Sequence, residues 1–172
     1  MNKEAVIFFA AADSLAQNKS LEFKQNLATT SMLVGADKYA RKKFVEITEY
    51  FPYSPEGYYG IALTSTILGD IDYGLENIHI AEKMHYKPNG DVQFLKAVLL
   101  TLNGKYKESL DYYDKLQNTF SKNDYFNGHF ALSLYEVAIL NDDKKMLKRA
   151  KRHYGMVKNK NQLSEELKTR FE

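Results

Sequence analysis

The stretch LLTLNGKYKESLDYYDKL, residues 99–116, decides the fold. Asn103-Gly104 stands between two apolar-rich runs, and Asn-Gly is the strongest short signal for a hairpin of β-strands. The flanking periodicity says otherwise. After Gly104, Tyr106, Leu110, Tyr113 and Leu116 recur at steps of four, three and three, the spacing of one helical face. Lys107, Glu108, Asp111 and Asp114 fall between them. Before Asn103, Phe94, Ala97, Val98, Thr101 and Leu102 again share one wide helical face, and strict alternation fails on both sides. Gly104 therefore reads as a left-handed cap that ends one helix and starts the turn to the next. The hairpin is one of helices.

The same reading extends outward. Helices are expected at about 3–17, 21–34, 37–50, 55–68, 71–85, 90–102, 105–119, 124–140, 142–157 and 161–171, and no segment asks to be a strand. Ser54-Pro55-Glu56 places a capping serine before a proline at the first helical position. Asn89 or Asp91, Asp124 and Asp142 are candidate caps for later helices.

Small residues then reveal an internal period. Ala28, Ala62, Ala97 and Ala131 are separated by 34, 35 and 34 residues. Seven positions after each come Gly35, Gly69, Gly104 and Ala138. Further on stand the small residues Ala40, Gly74 and Ser109, and then the large ones Phe44, Ile78 and Tyr113. Where two helices of a hairpin cross closely, a small side chain on each lets the backbones approach. A large one a turn later fills the gap to the next hairpin. One hairpin cannot bury both of its faces, so such units stack.

This pattern resembles the tetratricopeptide repeat (TPR) family, whose units also carry small residues at two crossings, a turn glycine between them, an aromatic, and often a late proline. Here those places read Ala28/Gly35/Ala40/Phe44/Pro52, Ala62/Gly69/Gly74/Ile78 and Ala97/Gly104/Ser109/Tyr113, with Pro88 near the end of the second unit. The family's usual tryptophan is replaced by Lys24, Tyr58 and Gln93, and the fourth unit departs after Ala131, with Asn141-Asp142 making its turn. The resemblance implies an all-α, right-handed solenoid of stacked antiparallel helix hairpins with about nine or ten helices. It would form a single domain over 1–172: an N-terminal helix at 1–20, repeats at 21–54, 55–89 and 90–123, a divergent fourth at 124–157, and a C-terminal helix at 158–172.

The resemblance also implies a site. The first helix of each hairpin would line a concave face, where Tyr59, Leu63, Phe94, Val98, Leu132 and Tyr135 would form an apolar, aromatic groove for a protein or peptide partner. Filling of that groove by a terminal helix of the same chain is the competing expectation. TPR domains that clamp the acidic tails of heat-shock chaperones use Lys, Asn and Arg at set inward positions. Gln25, Thr29, Gly60, Asp91 and Leu95 stand there instead, so that clamp is absent. The implied roles are those of an adaptor, assembly factor or chaperone. In size and groove character the chain is similar to the chaperones of type III secretion translocators.

Composition leaves this reading open and narrows others. Hydrophobic residues make up 44% and charged residues 27% of 172, with a net charge of +2, as in an ordinary globular chain. There is no cysteine, which rules out disulfides, thiolate metal sites and a cysteine nucleophile and fits a cytoplasmic setting. The apolar run at residues 5–12 ends in three alanines, but the leading MNKE lacks the positive region of a secretory leader, so a mostly buried first helix is expected. Residues 142–160 hold eight Lys or Arg against two Asp. Lys144, Lys145, Lys148, Arg149, Lys151 and Arg152 surround an apolar stripe of Leu147, Ala150, Tyr154 and Val157. Nucleic acid or an anionic surface is the alternative partner for that face, although a solvated outer helix near the end of a solenoid is the favoured reading of it. A stripe of Leu163, Leu167 and Phe171 offers a third option, docking on another copy.

Catalytic signals are weak. His79 and His85 are six apart, no His pair has the i, i+4 spacing of a helical metal site, and neither a phosphate loop nor a nucleophile elbow is present. A non-enzymatic protein without cofactor or metal is expected.

Overall fold

The computed structural model describes residues 2–17, 19–86 and 90–171. Among these there is no strand. Ten α-helices run α1 (Asn2–Leu15), α2 (Leu21–Leu33), α3 (Asp37–Tyr50), α4 (Pro55–Leu68), α5 (Ile71–Lys83), α6 (Asp91–Leu102), α7 (Tyr106–Leu116), α8 (Asp124–Leu140), α9 (Lys144–Met156) and α10 (Glu165–Thr169). A short 3-10 turn at Lys160–Gln162 precedes α10. The chain divides into two compact units, Met1–Pro88 and Asn89–Glu172. No helix among the described residues is long and apolar enough to cross a membrane.

In the first unit, α2 pairs with α3 and α4 with α5, and α1 packs on α2. Gly35 and Gly69 hold φ of +75° and +81° at the two hairpin turns, a conformation that costs glycine little because it has no Cβ. The small residues do what their spacing predicts. Ala28, Ala40, Ala62 and Ala81 are fully buried at the crossings, and Phe44, Ile47 and Ile78 fill the space beside them.

In the second unit, α6 pairs with α7 and α8 with α9. Gly104 has φ +75°, as its sequence context requires, while the α8–α9 turn uses Asp142 at φ +49°. Tyr113, Phe126 and Phe130 form the centre of this core, with the rings of Tyr113 and Phe130 stacked 5.0 Å apart.

Several expectations are corrected. α1 is not mostly buried: Ile7, Phe8 and Leu15 are 71%, 65% and 86% exposed, because α1 ends its stack with α2 on one side. The cap of α8 is Asn123, which accepts from the Phe126 amide, and the cap of α9 is Asp143, which accepts from the Lys145 and Met146 amides. Asp124 and Asp142 each miss by one residue. Gly90 holds the cap position of α6 in the left-handed conformation, with Asp91 as the first helical residue. Asn89 and Pro88 lie outside the described residues. The single helix expected over 161–171 is broken, because Leu163 is extended (ψ 150°) and Ser164 starts a fresh turn by accepting from the Leu167 amide.

Candidate functional site

In the first unit the predicted groove residues Tyr59 and Leu63 lie on α4, one turn apart, and both are half-buried. The opposite side of α4 is anchored by close packing on α3: Gly57 lies on Ile47 and Thr48, and Gly60 on the ring of Phe44. That packing turns Tyr59 and Leu63 outward. The Tyr59 ring meets that of Tyr86 at 5.3 Å. Gln25 on α2 is half-buried and Thr29 exposed, so the open face of this unit mixes aromatic, aliphatic and polar side chains.

The second unit treats its share of the expected groove differently. Phe94 on α6 is half-buried and built into an aromatic cluster, 4.8 Å from Phe120 and 5.3 Å from Phe126. Val98 is 1% exposed and offers no free surface. α6 is apolar around almost its whole circumference, and a helix of that kind is enclosed on most sides, with Val92, Leu95, Ala97, Leu99, Leu100 and Thr101 buried as well. Leu132 and Tyr135 on α8 are brought together, but beneath the chain's own C-terminal segment. Leu132 clusters with Leu163 and Leu167, and the ring of Tyr135 meets that of Phe171 at 5.3 Å. The stripe Leu163, Leu167 and Phe171 thus packs on its own chain.

Two residues on this face carried no strong sequence signal. Tyr125, at the start of α8, is 44% exposed and stands 4.4 Å from the ring of His129. His129 is buried, and burial pushes its pKa down to about 4; it is a neutral packing group. Tyr125 occupies an inward-facing place in the fourth repeat, and that register was the one clue available.

Lys144, Lys145, Lys148, Lys151 and Arg152 are exposed on α9. Arg149 is diverted: it bonds the Asp114 carboxylate and lies over the ring of Phe130. An open surface hollow is lined by Lys145, Lys148, Arg149, Lys151 and Arg152. Among the described residues no three His, Asp or Glu side chains come together as metal ligands would.

Paired helices joined by left-handed glycine turns, with small residues at each crossing, define a helical-hairpin repeat protein. The fold is that of the TPR proteins. It is similar to the crystal structure of YrrB, a TPR protein with an unusual peptide-binding site, at TM-score 0.67 and 14% identity over 94% of this chain and 88% of that one. It is also similar to MamA, at TM-score 0.69 and 14% identity over 91% and 86%. No family model matches the sequence, and no curated protein matches it significantly.

Proposed function

We propose that this chain is a non-catalytic interaction module that holds an apolar segment of a partner protein, as an adaptor, assembly factor or chaperone. The observation that carries the reading is the placement of Tyr59 and Leu63. Both keep exposed area on a helix whose other side is locked to α3, and large side chains held open by a rigid scaffold are what binding surfaces use. In the second unit Phe94 is half-buried at the equivalent position, whereas Leu132 and Tyr135 lie beneath the C-terminal segment. The peptide-binding site of YrrB, on a similar fold, points the same way. The test is co-purification from the native cell at high salt, comparing the wild-type chain with Tyr59→Ala/Leu63→Ala. Loss of the retained polypeptide with unchanged helicity supports the reading; equal retention overturns it.

A second reading rests on the exposed cations of α9. Five of them on one helix suit a polyanion such as nucleic acid or an anionic surface. Binding of that kind falls steeply with salt and disappears in Lys148→Glu/Arg152→Glu.

A further inference from the structure

The C-terminal segment is held against α8 and α9 as a ligand is held. It departs from α9 at Val157 and turns on Asp124, whose carboxylate accepts from the Lys158 and Asn159 amides at 3.1 and 2.8 Å. Beyond Asn159 it grips through side chains. Leu163 seats on Gly128, where an added Cβ would stand 2.6 Å from Leu163 Cδ2. Leu167 is buried in the same cluster as Leu132, Tyr154 and Val157. Phe171 stacks on Tyr154 at 4.4 Å and meets Tyr135 edge-on. Arg170 bonds the Glu136 carboxylate. The anchors are four residues apart; the regular structure of the segment amounts to one 3-10 turn before Leu163 and five residues of α-helix between the anchors. So little helix has scant stability of its own; the α8 face supplies the shape.

We propose that this face of α8 is a peptide-binding site which the chain fills with its own tail, and that the tail spells out the chemistry of the external ligand. That ligand carries an aliphatic side chain for the Gly128 slot and a leucine four residues on. An aromatic follows after four more, preceded directly by a cation for Glu136. The proposal rests on the reading of the chain as a peptide-binding module and names the partner chemistry of its second unit. Gly128 is the specificity element, since a side chain there would occupy the space of the first anchor. The tail competes at an effective concentration on the order of millimolar, as short tethers do, so an external segment must bind tightly or arrive when the tail is loosened.

The experiment uses the chain of 172 residues and a fluorescein-labelled synthetic peptide of residues 160–171. Leu163→Ser/Leu167→Ser/Phe171→Ser releases the tail without shortening the chain. This variant is expected to bind the peptide at least tenfold more tightly than wild type. Adding Gly128→Met, or replacing Phe171 by Ala in the peptide, is expected to remove at least tenfold of that gain. Equal binding to both proteins, or none to a released variant of native helicity, overturns the proposal. If the triple variant does not fold, hydrogen exchange on the wild-type protein decides. Amides of residues 163–171 exchanging at least tenfold faster than those of α8 support a displaceable ligand, whereas exchange in step with α8 makes the tail ordinary core and overturns it. Co-purification with Tyr59→Ala/Leu63→Ala reads the first unit and the peptide assay reads the α8 face, so failure here is distinguishable from failure of the broader reading.

Discussion

Gly60 lies so close to the ring of Phe44 that a Cβ at position 60 would stand 2.1 Å from Phe44 Cδ1. Position 60 is mid-helix, where alanine is ordinarily favoured over glycine by about 1 kcal/mol. Phe44 is buried among Ala28, Ala40, Ile47 and Ile61 and has little room to retreat. Overpacking of that kind costs about 1–3 kcal/mol, so the clash outweighs the propensity gain. Gly60→Ala is expected to lower the urea midpoint. A raised midpoint would show that α3 and α4 do not approach as described.

Lys24 is wholly enclosed, with its ammonium 3.1 Å from both Asp13 on α1 and Glu46 on α3, and 5.0 Å from the Tyr50 ring centroid. Burial tends to raise the Glu46 pKa, but hydrogen bonds from Lys43 and Lys24 prevail and hold its carboxyl below the usual range. Lys24→Met strands a buried Asp13, and removing one partner of such a pair costs about 3–5 kcal/mol. The expected result is a large drop in stability, partly recovered in Lys24→Met/Asp13→Leu, where no orphaned charge remains at α1. Chemical denaturation of the single and double variants checks the order.

These two sites show what the sequence discloses and what it withholds. The helical hairpins were legible because their signals are local: the period of the apolar residues, and glycines where only a left-handed turn closes the pair. Helix bounds for α3, α4 and α8 agree with that reading. Lys24 was visible only as a lysine in the place of the family's tryptophan. That Asp13 and Glu46 converge on it depends on two other helices, and no spacing reports such a meeting. The groove suffered for the same reason. Register gave the faces of α4, α6 and α8 and left filling by a terminal helix as the competing expectation, but it did not say that Leu163, Leu167 and Phe171 would be the residues covering Leu132 and Tyr135. Their four-residue spacing marked an apolar stripe without naming its partner.

Two buried histidines set a pH dependence. His153 donates from Nδ1 to Asn127 Oδ1 at 3.0 Å, while its Nε2 has no hydrogen-bond partner among the described residues. Burial first, and then Arg152 and Arg149, push its pKa down to about 4; burial alone does the same to His129. In the unfolded chain both titrate near 6.5. Between about pH 6.5 and 4 the unfolded state therefore binds more protons than the folded one. Stability is full above 6.5 and falls as pH drops toward 4, by up to about 1.4 kcal/mol per pH unit for each histidine. Denaturation midpoints measured from pH 7 to 5 are expected to fall accordingly. The slope should flatten in His129→Gln/His153→Gln, even though that variant starts from a lower stability. An unchanged slope would mean that neither ring is held neutral.

The last prediction concerns the hydroxyl cluster that joins three helices of the second unit. Ser133 Oγ lies 2.9 Å from Thr101 Oγ1 and accepts from Ser109 Oγ at 2.8 Å; Thr101 Oγ1 is in turn 3.1 Å from the Tyr113 hydroxyl. All four side chains are buried, and burial raises the Tyr113 pKa against the opposing hydrogen bond with Thr101, so its proton stays in place. Thr101 also reaches the Ala97 carbonyl and Ser109 that of Tyr106, so each keeps one partner if Ser133 is lost. Ser133→Ala therefore weakens the cluster without orphaning a donor, and about 1 kcal/mol is the expected cost. Ser133→Val is worse, because its second methyl must fit where α6 and α8 approach. Overpacking there adds about 1–3 kcal/mol. Equilibrium unfolding of both variants measures the gap between them. If valine were tolerated as well as alanine, α6 and α8 would not approach at Ser133 as closely as described.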